Sequence, residues 1–147
     1  MMRAELTEKI MMRKIHSGIK WSDIAEKVGQ SKEWTTAALM GQISMTKEEA
    51  TAAGGVLNLS EDDITLLQVV PYRGSVTEDV PKDPLIYRLY EVVHVYGTTI
   101  KALIEEEFGD GIMSAIDFTM DIERKNDPNG DRVILTLDGK FLSYKKY

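Results

Sequence analysis

The chain has 147 residues, 43% hydrophobic and 29% charged, the balance of a globular protein of one domain or two small ones. A net charge of −6 disfavours nucleic acid and anionic membrane as partners, and obliges any anion site to build its own local positive potential. The absence of cysteine excludes disulfides, thiolate metal sites and a cysteine nucleophile, and no apolar run approaches the length of a membrane-spanning helix. The N-terminal stretch mixes charge with apolar residues and lacks the apolar core of a secretory signal. Glu5 and Glu8 argue against a mitochondrial presequence despite Arg3, Lys9, Arg13 and Lys14. The expected location is the cytoplasm.

Residues 1 to about 70 read as helices. Leu6, Ile10 and Ile15 keep roughly helical spacing. Asp23 and Glu26 have capping-box spacing for a second helix that Gly29 ends, and Ser31 caps a third that stops at Gly41. Thr46 and Glu49 repeat the capping box before a fourth, which the Gly54-Gly55 pair is expected to close or weaken. Ser60 caps a fifth, with Glu61, Asp62 and Asp63 at its positive end. The second and third helices resemble a helix-turn-helix of the phage-repressor type. A DNA-reading helix needs Arg, Lys, Asn or Gln at base edges and phosphates. Residues 31–41 offer only Lys32, and residues 1–70 carry eight basic against ten acidic residues. A bundle used for packing and assembly is the preferred reading over a DNA-binding regulator.

Pro71, Gly74, Pro81 and Pro84 mark a linker over 71–83. Asp83 followed by Pro84 starts the strongest helix of the chain. It is expected to break at Gly97, with Thr98 or Thr99 recapping a second helix to Phe108. Gly109-Asp110-Gly111 is a turn. Ile116, Phe118, Met120 and Ile122 alternate with polar residues as a half-buried strand, and Asp127–Gly130 is a turn. Val133, Leu135 and Leu137 form a second strand, and Asp138-Gly139 is a hairpin signal before Phe141. The fold class is α+β: a helical bundle over 1–72 with an assembly role, then a catalytic and oligomerisation domain over 73–147 with a small antiparallel sheet. So small a sheet leaves edges and a face uncovered, which favours a homo-oligomer.

Arg88 and Glu91 lie one helical turn apart and project from one face. A guanidinium oriented by a carboxylate can hold a small planar anion, and the Ser114 hydroxyl can donate to that anion. On spacing alone, such a pair is ordinarily a solvated surface pair. His16 and His94 are the only histidines, far apart and without a second ligand at metal spacing, so no metal is expected. His94 is within reach of a local hydrogen bond to Glu91, with a solvent-facing or interface role preferred. Tyr87, Tyr90 and Tyr96 read as packing residues whose hydroxyls could also orient Arg88 or Glu91. Arg73 is a second candidate cation, with a structural role in the linker preferred. No phosphate-binding or dinucleotide glycine loop is present.

The elements YRLYEVVHVYGTTIKA and FGDGIMSAI, with LQVVPYRGS before and TLDGKFL after, resemble cyanases (cyanate hydratases), and the similarity runs over nearly the whole chain. The resemblance implies that Arg88, Glu91 and Ser114 are the catalytic set, and that backbone at Ile112 and Leu142 lines the substrate cavity. It implies that cyanate and bicarbonate combine to carbamate and carbon dioxide, carbamate then giving ammonia and a second carbon dioxide. It implies no cofactor beyond bicarbonate as co-substrate, and a homodecamer of five dimers whose sites lie where subunits of neighbouring dimers meet. The alternatives are a DNA-binding regulator, which the charge count opposes, and a non-catalytic oligomeric scaffold, which retention of all three residues opposes.

Overall fold

The computed structural model describes residues 2–145, and these fall into two compact units divided between Thr77 and Glu78. In the first, five helices follow one another: α1 (Arg3–Ser17), α2 (Trp21–Val28), α3 (Lys32–Leu39), α4 (Lys47–Leu57) and α5 (Glu61–Leu67). Their apolar stripes close one core around Leu6, Ile10, Ile24, Leu39, Ala50, Ala53 and Leu67, all fully buried. Such burial is the main favourable term in folding, at about 1.5–3 kcal/mol for each large side chain.

Side chains set the helix starts. Ser31 accepts from Trp34 N, Thr46 and Glu49 close a reciprocal box, and Ser60 and Asp63 close another. The second helix begins earlier than the Asp23–Glu26 spacing suggests. Asp23 is its third residue and accepts from Lys20 N, so the box is closed upstream and Trp21 joins the helix. Gly54 and Gly55 do not end α4, which continues to Leu57 and stops at Asn58 in the left-handed conformation. Gly54 is there for proximity: a Cβ would lie 2.5 Å from Ile64 Cγ1 on α5. Two polar ties join the helices. Arg3 Nη2 donates to Ala38 O at the end of α3, and Lys9 Nζ meets Asp63 Oδ2 at 2.5 Å.

The second unit holds α6 (Pro84–Phe108), β1 (Gly111–Lys125) and β2 (Arg132–Ser143). Asp83 Oδ1 accepts from Leu85 N and Ile86 N, with Pro84 at the first helical position. The expected break at Gly97 does not occur. One helix runs unbroken to Phe108, since a single interior glycine costs only about 1 kcal/mol against alanine, which a helix of 25 residues tolerates. It ends at Gly109, whose positive φ of 91° suits glycine. The two strands pair antiparallel from Gly111↔Ser143 to Lys125↔Arg132, and among the described residues they make up the whole sheet. Asp138-Gly139 makes no hairpin. It lies inside β2, opposite Thr119 and Phe118.

From Glu78 onward only Pro81 and Ser114 are buried among the described residues. Leu85, Leu89, Val92, Val93, Tyr96, Ile100 and Leu103 all stand exposed on α6, and Val133, Leu135 and Leu137 on β2. Among the described residues no helix is long and apolar enough to cross a membrane.

Asp63 allows a pH test of the first unit. Its side chain is 1% exposed. Burial alone would raise its carboxyl pKa, but hydrogen bonds from Lys9 and Ser60 outweigh burial and hold it below the ordinary 3.8. Its contribution is therefore full above the unfolded value and is lost as pH falls through the lower, folded one. Asp63→Asn should destabilise the protein by about 1–3 kcal/mol at pH 7. Thermal unfolding across pH should show the gap from the parent closing below the ordinary carboxylate range. A gap that stays constant would contradict this role.

Candidate active site

The sequence candidates fall at two places in the second unit. Arg88 and Glu91 stand one turn apart in the first half of α6, both exposed. Around them runs an aromatic stripe: Tyr87 and Tyr90 have ring centroids 6.0 Å apart, and Tyr90 stacks on His94 at 5.8 Å. The Arg88 guanidinium lies 5.5 Å from the Tyr87 ring centre. Among the described residues no ion pair joins Arg88 to Glu91. His94 packs flat on Tyr90, and among the described residues no hydrogen bond joins it to Glu91. Arg73 falls in the first unit, exposed, beside Gly74 whose N–H donates to Gln42 Oε1.

Ser114 is set in a different way. The β1–β2 register jumps between Met113↔Phe141 and Phe118↔Gly139, so Ser114, Ala115, Ile116 and Asp117 pass opposite Lys140 alone. The chain bulges, and the serine folds back into the bulge. Its Oγ accepts from Ile116 N at 3.0 Å and Asp117 N at 2.9 Å, and the residue is only 6% exposed. A hydroxyl has two lone pairs and one proton. With both lone pairs engaged, the remaining function of the group is to donate that proton. Two N–H dipoles on the oxygen also polarise the O–H, making it a stronger donor toward an anion. The same engagement disfavours nucleophilic attack by this oxygen. The S-x-x-D spacing of Ser114 and Asp117 was the available sequence signal for this turn. The bulge also takes Ile116 out of the strand's alternation and leaves it 98% exposed.

Ile112 and Leu142 are cross-strand partners, and Ile112 lies two residues from Ser114, so the structure gathers these three at one end of the hairpin. A Cβ on the neighbouring Gly111 would collide with Leu142 O, which is why the strands can close up here. This end is fastened to the C-terminal end of α6: the Phe108 and Phe141 rings lie 5.1 Å apart, and Tyr144 N donates to Asp110 O. Arg88 lies toward the opposite end of α6, about 30 Å of helical rise from Phe108. Among the described residues no hydrogen bond or ion pair joins Arg88 or Glu91 to Ser114. A cleft of about 380 Å³ beside the bulge is lined largely by Ile104, Phe108, Met113, Leu137 and Phe141, an apolar wall with few donors for an anion.

Comparison with known proteins places this geometry. Residues 3–71 match the family described as cyanate hydratase, N-terminal, and residues 78–146 match the cyanate lyase C-terminal domain. The chain belongs to the cyanate hydratase family. The cyanate hydratase of Methylibium petroleiphilum is 61% identical over 147 residues, covering 100% of both chains. That of Variovorax paradoxus is 60% identical over the same full span. The crystal structure of cyanase from T. urticae matches with a TM-score of 0.80 at 37% identity, covering 94% of this chain and 96% of that one.

The bulge makes a prediction independent of activity. Ser114→Ala removes the acceptor of two part-buried amides. Hydrogen exchange at Ile116 and Asp117 should accelerate by an order of magnitude or more, while Ile122–Lys125 in the regular ladder keeps its protection. Unchanged exchange at both amides would mean that the serine does not hold the bulge.

Proposed function

We propose that the protein decomposes cyanate with bicarbonate, at a site built from Arg88, Glu91 and Ser114 of more than one copy of the chain. The family relationship over the whole chain carries the reaction, and the absence of a core in the second unit supports the shared site. Cyanate, bicarbonate and one proton give carbamate and carbon dioxide. A bicarbonate oxygen bonds to the cyanate carbon, protons reach the nitrogen, and the bond from that oxygen to the bicarbonate carbon breaks. Carbamate then takes up a further proton and falls to ammonia and carbon dioxide without help.

Both substrates are anions, so the site must supply positive charge and donors and exclude water. Arg88 supplies the charge and a planar fork that fits a carboxylate-like pair of oxygens. Ser114 supplies a donor with no other use for its proton. Glu91, in no ion pair among the described residues, gains its orienting role toward Arg88 once a neighbouring chain covers the α6 face and lowers the local dielectric. Ile112 and Leu142 supply backbone at the cavity wall. Much of the rate gain comes from holding two like-charged reactants in attack geometry.

The exposed apolar surface supports assembly. A two-stranded hairpin is marginal by itself, and α6 buries none of its side chains. Copies that cover these faces make the fold stable and bring Arg88 of one chain toward Ser114 of another. The proposed assembly is a decamer of five dimers, about 166 kDa from chains of 16.6 kDa.

The direct test is ammonia release from cyanate, which should require bicarbonate. Release that is indifferent to bicarbonate, or absent from the intact oligomer, would defeat the reading. Arg88→Lys keeps the charge and loses the fork, so turnover should fall by a hundredfold or more at unchanged oligomer size. Near-normal turnover in that variant would remove Arg88 from the site.

A further inference from the structure

Gly139 lies where the β ladder resumes after the bulge, paired with Phe118. Its φ is not positive, so the backbone conformation there does not demand glycine. The surroundings do. A Cβ at this position would sit under 3.0 Å from the Ser114 carbonyl oxygen and 2.5 Å from Met113 Cγ. The side chain of Met113 can swing aside, whereas the Ser114 carbonyl belongs to the peptide that starts the bulge. Any side chain at 139 must push that peptide away from β2. Ser114 Oγ is aimed by the same few atoms: its own backbone and the N–H groups of Ile116 and Asp117.

We infer that Gly139 is a positioning residue for the Ser114 hydroxyl, its bare Cα setting how closely β2 approaches the bulge and so where the serine proton points. This rests on the reading of Ser114 as a donor to substrate. A displacement of about 1 Å in such a group costs on the order of a hundredfold in rate. Gly139 makes no contact with substrate itself, and its effect travels through the Ser114 peptide.

Gly139→Ala in the full chain tests this beside Ser114→Ala and the double variant. The expected Gly139→Ala protein keeps the parent's oligomer size, loses about tenfold or more in kcat, and changes little in KM for bicarbonate. Faster exchange at the Ile116 and Asp117 amides should accompany the loss. The double variant should be no slower than Ser114→Ala, because both changes remove the same donor. Full turnover in Gly139→Ala, or losses that multiply in the double variant, would overturn the inference. If Ser114→Ala retains full activity, the reading of Ser114 fails and this inference with it. An impaired Ser114→Ala beside an active Gly139→Ala overturns the inference alone. Should Gly139→Ala fail to assemble, Met113→Ala/Gly139→Ala relieves the side-chain crowding and keeps the backbone clash. Assembly with low kcat then supports the inference. Recovery of both assembly and turnover, or continued failure to assemble, overturns it.

Discussion

Among the described residues the second unit has no apolar core of its own, and the rest of the structure depends on that. The first unit buries Leu6, Ile10, Ile24, Leu39 and Leu67 completely, within five short helices. The second offers a 25-residue helix with no buried residue and a single hairpin. At about 25 cal/mol per Å² of apolar surface, the side chains along α6 and β2 hold a large unrealised stabilisation. Contact with further copies of the chain is the economical way to realise it, and on the proposed reading the same contact creates the site. Folding of this unit, assembly and catalysis are then one event.

This coupling explains the distribution of polar groups. Among the described residues Arg88 and Glu91 ride on the exposed helix without an ion pair, which leaves them available to groups that another chain would bring. Ser114 is already fixed, buried in its bulge with both lone pairs engaged. The two halves of the proposed site thus differ in preparation. The donor is rigid before assembly, and the cation acquires its orientation from assembly. With a net charge of −6, the proposed site needs a local source of positive potential, which converging copies of Arg88 would supply.

What the sequence revealed follows the range of the interactions concerned. The caps at Ser31, Thr46, Ser60 and Asp83 involve neighbours within three residues and were legible. Asp23 was legible as a capping residue but assigned to the wrong end of its box, because Lys20 carries no cap-forming side chain to mark the true start. Gly54, Gly97 and Gly139 were all read as local breakers. Gly54 and Gly139 answer instead to partners distant in sequence, Ile64 and Ser114, that no local pattern exposes. Gly97 sits in a helix strong enough to absorb it. At the proposed site, the motif supplied Arg88, Glu91 and Ser114 as candidates, whereas the use of the serine's lone pairs is a matter of bulge geometry. Ile116 was placed on a buried strand face from its alternation, which the bulge interrupts.

The claim that the site is completed between chains is tested most directly by complementation. Arg88→Lys and Ser114→Ala proteins, each expected to be strongly impaired, are dissociated, mixed and reassembled. If pockets draw these residues from different chains, some mixed sites combine an intact Arg88 with an intact Ser114, and bicarbonate-dependent ammonia release returns in part. Mixtures that remain as inactive as their parents, although hybrid oligomers form, would contradict a shared site.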